Sequence, residues 1–127
     1  MTDTNHSETA ADLVARYLAA WNADDPGERQ SRVTDAFTET AHYGDPLAAA
    51  SGHDGIAALI GAVRAQFPGL AFRGAGRVDS YGDKLRFSWE LAPADGAAVA
   101  GGTDFAVVSG GRLAEVTGFL DFVPAAA

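Results

Sequence analysis

Residues Gly101 to Phe122 read GGTDFAVVSGGRLAEVTGFLDF: two runs rich in β-branched, aromatic and aliphatic residues around a Gly110-Gly111 pair. No helical spacing runs through them, and the glycine pair is turn chemistry, so the stretch predicts a long β-hairpin. Asp104 lies inside the first apolar run, where a charge is costly unless it is paired, solvated in a cavity or protonated. Its face depends on register. A two-residue turn at Gly110-Gly111 sets Asp104 opposite Thr117, on the face of Glu115 and Phe119. A third loop residue or a bulge moves it to the face of Val116, Gly118 and Leu120.

At 127 residues the chain fits one domain, large enough to bury roughly two thirds of its unfolded surface. Cysteine is absent, which removes disulfides, thiolate metal sites and thiol nucleophiles. The net charge of −8, with a single lysine and scattered arginines, leaves no cluster to replace phosphate counterions, so nucleic-acid binding is excluded as a function class. The polar MTDTNHSET start carries no export signal and no apolar run approaches a membrane span, so no membrane association is expected and a cytoplasmic location is the default.

Residues 1–7 are expected to be disordered. Leu13, Val14, Tyr17, Leu18 and Trp21 then recur at helical spacing, predicting an amphipathic helix with an aromatic end. Asp25-Pro26-Gly27-Glu28 supplies a cap, a proline at the first helical position and an acid in the first turn, and so starts a second helix with Val33, Ala36 and Phe37 on its apolar face. Ala41-His42-Tyr43-Gly44-Asp45-Pro46 predicts a short edge strand or strand end, with Asp45 where the strand stops, because proline forces the residue before it to be extended. Past a weak strand or loop, a third helix presents Ile56, Leu59, Ile60, Val63 and Phe67, and Pro68-Gly69 ends it. The rest alternates as strands: Leu70, Phe72 and Val78, then Leu85, Phe87, Trp89 and Leu91, then the hairpin. Helices first and antiparallel strands after them give an α+β domain, its curved antiparallel sheet covering three N-terminal helices.

This order of elements, with Tyr17-Leu18-Ala19-Ala20-Trp21-Asn22, Tyr43-Gly44-Asp45-Pro46, Gly52-His53-Asp54-Gly55-Ile56, Phe67-Pro68-Gly69, Gly102-Thr103-Asp104-Phe105 and Gly111-Arg112-Leu113, resembles the nuclear transport factor 2-like superfamily and, within it, the SnoaL-like and ketosteroid isomerase-like proteins. The resemblance spans about residues 8–123 and leaves 124–127 as a tail. It implies a cone with a pocket at one end, and a homodimer paired through the outer sheet face. It does not settle activity, since the superfamily holds isomerases, cyclases, dehydratases and non-catalytic modules.

Laid residue by residue on this chain, the ketosteroid isomerase pattern puts a helix tyrosine at Tyr17, an aspartate base before proline at Asp45, and a strand aspartate at Asp104. In such a site the base moves a proton beside a carbonyl, while the phenol and a neutral carboxylic acid donate to the enolate. Two tyrosines that back the helix tyrosine in that family correspond here to Phe37 and Ile60, which cannot hydrogen-bond. An epoxide-hydrolase pattern fails at Gly102, where an arginine would be needed. The expected pocket for a small apolar or aromatic ligand is lined by Tyr17, Trp21, Tyr43, Asp45, Phe72, Phe87, Trp89, Asp104, Val116 and Leu120. No cofactor is implied, and the histidines have no metal-ligand spacing.

Overall fold

No glycine or proline interrupts the run from Thr2 to Trp21, and in the computed structural model, which describes residues 2–123, all of it is helix α1 (Thr2–Trp21). Residues 2–7, expected to be disordered, therefore lie within the helix, because nothing in their sequence stops it. Met1 and the expected tail 124–127 lie outside the described residues. Helix α2 (Pro26–Ala36) begins as its capping residues dictate, with Asp25 accepting the Glu28 N–H at 2.8 Å. Phe37 does not extend its apolar face. The helix stops at Ala36, and Phe37 opens strand β1 (Phe37–Gly44), whose Phe-Thr-Glu-Thr start suits an extended backbone.

After β2 (Ala49–Ser51) and α3 (Gly52–Gln66) come β3 (Leu70–Tyr81), β4 (Lys84–Pro93), β5 (Ala100–Ser109) and β6 (Arg112–Phe122). The six strands make one sheet in the order β2-β1-β6-β5-β4-β3. Two expectations need correction here. β1 runs parallel to β6, so the sheet is mixed rather than wholly antiparallel. β1 is also internal, between β2 and β6, so the Asp45-Pro46 stretch marks a strand end and not an edge strand. Pro46 falls two residues beyond the strand, so its missing N–H costs the ladder nothing.

In the hairpin, Ser109 pairs with Arg112 across Gly110 (φ 59) and Gly111 (φ 80), a two-residue turn that needs left-handed backbone at both positions. Val108 pairs with Leu113 but Val107 with Glu115, so Ala114 is an extra residue in β6. This bulge decides the register: Asp104 faces Gly118 and shares its face with Val116 and Leu120. Further irregularities at Ala75/Asp79 and Gly101/Gly102 bend the sheet around α1 into a cone.

The core lies between the helices and the concave sheet face, where Leu13, Val33, Phe37, Ile56, Ile60, Phe87, Leu113 and Val116 are nearly or fully buried. Burying each such side chain is worth about 1.5–3 kcal/mol, against about 0–1 kcal/mol for exposed ion pairs such as Arg32–Glu28. Apolar packing therefore holds the cone.

Candidate active site at the open end of the cone

Helix α1 brings Tyr17 under the sheet, where its ring packs edge-on against Phe87 at 5.2 Å and its hydroxyl donates to Asp104 Oδ2 at 2.6 Å. The Trp89 indole N–H donates to the other oxygen, Oδ1, at 3.1 Å. Asp104 is only 1% exposed. Burial pushes its carboxyl up to about 6; the hydrogen bonds from Tyr17 and Trp89 oppose that rise, and the charges of Asp45 and Asp121 add to it. Two glycines make the room. A Cβ at Gly118 would stand 2.7 Å from Asp104 Oδ1, and one at Gly102 would stand 2.6 Å from the Trp89 ring.

A second phenol–carboxylate pair sits at the end of β1. Tyr43 donates to Asp45 Oδ2 at 2.5 Å, while Asp45 Oδ1 accepts the N–H groups of Leu47 (2.8 Å) and Ala48 (2.9 Å). These bonds fix the turn around Pro46 and aim the carboxylate. Burial above all, then the neighbouring carboxylates, raises both Tyr17 and Tyr43 above the ordinary phenol range, so both remain protonated donors.

Beside these pairs opens a cavity of about 410 Å³. Of the residues expected to line it, Tyr17, Trp21, Tyr43, Asp45, Phe72, Trp89 and Leu120 do so. Phe87, Asp104 and Val116 do not reach it. All three are buried, and Asp104 lies one layer down, bonded to the two wall residues Tyr17 and Trp89, because the Tyr17 ring fills the space above Phe87.

Sequence reasoning missed the wall contributed by α3, where Leu59, Ala62, Val63 and Gln66 line the cavity. Leu59 and Val63 were legible as an apolar helix face, which does not distinguish a core from a pocket wall. Phe72 is held at the cavity by Asn22, whose amide donates to Phe72 O at 2.8 Å and accepts its N–H at 2.7 Å. The Trp21 indole N–H is buried and makes no hydrogen bond. Among the described residues no group of three or more His, Asp or Glu side chains could hold a metal ion, and no helix is long and apolar enough to cross a membrane.

The profile of the SnoaL-like domain matches residues 14–116, most of the chain. The chain belongs to the SnoaL-like family. A solved SnoaL-like family protein from Agrobacterium tumefaciens, provisionally designated an isomerase, is 44% identical, with a TM-score of 0.85 over 90% of this chain and 98% of that one. A SnoaL-like protein from Jannaschia, provisionally designated a polyketide cyclase, shares 16% identity with a TM-score of 0.73, covering 91% of this chain and 87% of its own. A protein from Kribbella flavida with the provisional designation ketosteroid isomerase shares 18% identity with a TM-score of 0.67, covering 95% and 84%. The last two likenesses are of fold alone. No functionally curated protein matches the sequence. As a SnoaL-like protein the chain thus has an α+β cone, isomerase- and cyclase-designated structural neighbours, and no assigned activity.

Proposed function

We propose that this SnoaL-like protein binds a small, largely apolar molecule in the cavity and performs cofactor-free acid/base chemistry on it, of the isomerase or cyclase type. The observation that carries this is the placing of two phenol–carboxylate pairs, Tyr17–Asp104 and Tyr43–Asp45, at the head of an otherwise apolar cavity. Asp45 lines the cavity, is half-buried, and is oriented by three hydrogen bonds, which suits a general base. Tyr17 is the donor to the developing oxyanion and Asp104 its partner.

In the resting structure the Tyr17 proton points at Asp104. When Asp104 takes up a proton, its own O–H can donate to the Tyr17 oxygen, which frees the phenol proton to turn to the cavity. Asp45→Asn is expected to lower turnover of an activated β,γ-unsaturated ketone by about 10²–10⁴-fold while leaving ligand binding nearly intact. Undiminished turnover would remove the base from the scheme.

One observation favours a second reading, a non-catalytic binding module: the Tyr17, Tyr43 and Trp89 donors are all engaged by carboxylates. Absence of turnover in the native protein, with binding retained, would select it.

The outer sheet face supports a homodimer, since Phe105 and Phe119, 45% and 53% exposed, stack edge-to-face at 6.1 Å on it. Phe119→Glu is expected to halve the mass measured by light scattering; a native monomer would end the dimer proposal. The lack of cysteine fits a cytoplasmic setting.

A further inference from the structure

Several acids of this chain are offset by a cation. Asp24, Asp79, Asp83 and Glu90 each meet a cation, Arg64 at 2.8 Å, Arg86 at 2.6 Å, Lys84 at 2.9 Å and Arg73 at 3.1 Å. Asp45, Asp104 and Asp121, gathered at the cavity end of the sheet, make no ion pair among the described residues; Asp121 accepts only the Thr103 hydroxyl, at 2.8 Å. Among the described residues no Arg, Lys or His lines the cavity, and Asp45 is the charged side chain in its wall. An anion entering would meet unbalanced negative charge in a setting poor in water, where like charges repel strongly.

Hydrogen-bond capacity points the same way. The Tyr17 and Trp89 donors are held by Asp104, the Tyr43 donor by Asp45, and the Trp21 N–H is sealed by burial. Among the described side chains that line the cavity, only the exposed Gln66 amide, at the rim, offers a free donor, along with an acceptor. Asp45, by contrast, can still accept. A carboxylate has about four acceptor sites; two amides occupy Oδ1 and one phenol Oδ2, which leaves a place on Oδ2. In the resting structure a ligand donor is therefore better matched than a ligand acceptor.

The walls add a charge preference. Trp21 packs edge-on against Phe72, and Phe72 against Trp89, both at 5.3 Å, with Tyr43 tilted against Trp21 at 5.4 Å. Edge-to-face packing points ring faces in several directions around one site, and an aromatic face attracts a cation.

We propose that the cavity takes a lipophilic cation, a protonated amine on an apolar body, with its ammonium group on Asp45 and its body against Phe72, Trp89 and the α3 wall. This rests on the cavity being a ligand site, as proposed above, and not on turnover.

The test uses one skeleton with three polar ends: 2-naphthylmethylamine, 2-naphthalenemethanol and 2-naphthoic acid, titrated into the full chain by calorimetry near neutral pH. The amine is expected to bind about tenfold more tightly than the alcohol, and the acid more weakly than either. In Asp45→Asn the amine's advantage over the alcohol disappears. Should that variant not fold, raising the pH past the amine's own pKa with the native chain must erase the same advantage. An acid that matches the amine, or an amine advantage that survives both manipulations, overturns the proposal. If the alcohol binds and the amine has no advantage, the charge preference falls and the ligand cavity stands; if none of the three binds, both fall.

Discussion

Tyr17–Asp104 and Tyr43–Asp45 are chemically the same pair, a phenol donating to a carboxylate, yet they do different physical work. The first joins residues 87 positions apart and is sealed beneath the cavity wall. The second joins residues two positions apart, at a turn where backbone amides and solvent share the carboxylate. Burial decides the difference. Asp104 has only two donors to offset its desolvation and is pushed up to about 6, whereas the turn supplies Asp45 with ready-made partners that persist even if the pair is broken.

The sharpest way to separate the two pairs is pH. Asp104 sits at about 6 in the folded chain against an ordinary 3.8, so between these values the folded state holds a proton that the unfolded chain has lost. The stability this group contributes is full below the lower value and is lost as pH rises through the upper one, about 3 kcal/mol in all. Chemical denaturation between pH 4.5 and 7.5 should show that decline, and Asp104→Asn should flatten it. An unchanged slope in the variant would deny Asp104 its special environment. At the acid end the exposed Asp24, Asp79 and Asp83 act in the opposite sense, held low by hydrogen bonds from Arg64, Arg86 and Lys84 respectively.

Smaller effects follow from removing one phenol at a time. Tyr17→Phe takes a donor from a buried carboxylate and is expected to cost about 2 kcal/mol at pH 7.5, with less lost at pH 5 where Asp104 is protonated. Tyr43→Phe leaves Asp45 its two amides and is expected to cost under about 1 kcal/mol with no such pH dependence. Equal costs for the two variants in urea titrations would mean that burial does not distinguish the pairs.

The same contrast explains what the sequence could say in advance. Local devices were legible: the Asp25-Pro26 helix start, the Asp45-Pro46 strand stop and the glycine-pair turn all depend on neighbours within a few residues. The pairing of β1 with β6 was not, since a parallel contact between distant strands leaves no local mark, and Pro46 pointed to an edge. The face of Asp104 depended on a bulge at Ala114, an ordinary residue with no turn signature. At the site, the family resemblance put forward Tyr17, Asp45 and Asp104 as a set, but not that Asp104 lies behind the wall. Depth is set by how the Tyr17 ring and Phe87 fill the cone, which alternation along a strand does not encode.

The extra residue in β6 reaches beyond its own strand. Were Ala114 to take a regular place in the ladder while the glycine turn is kept, every residue of β6 beyond it would slip by one against its partner: Asp104 would be matched with Thr117, on the stripe that carries Phe119, and Gly118 would no longer make room for its carboxylate. A buried acid and an exposed aromatic belt are thus alternative registers of one hairpin, separated by whether a single residue bulges or pairs. One residue added between Glu115 and Gly118 would have the same effect, whereas loss of Ala114 itself would leave Asp104 opposite Gly118.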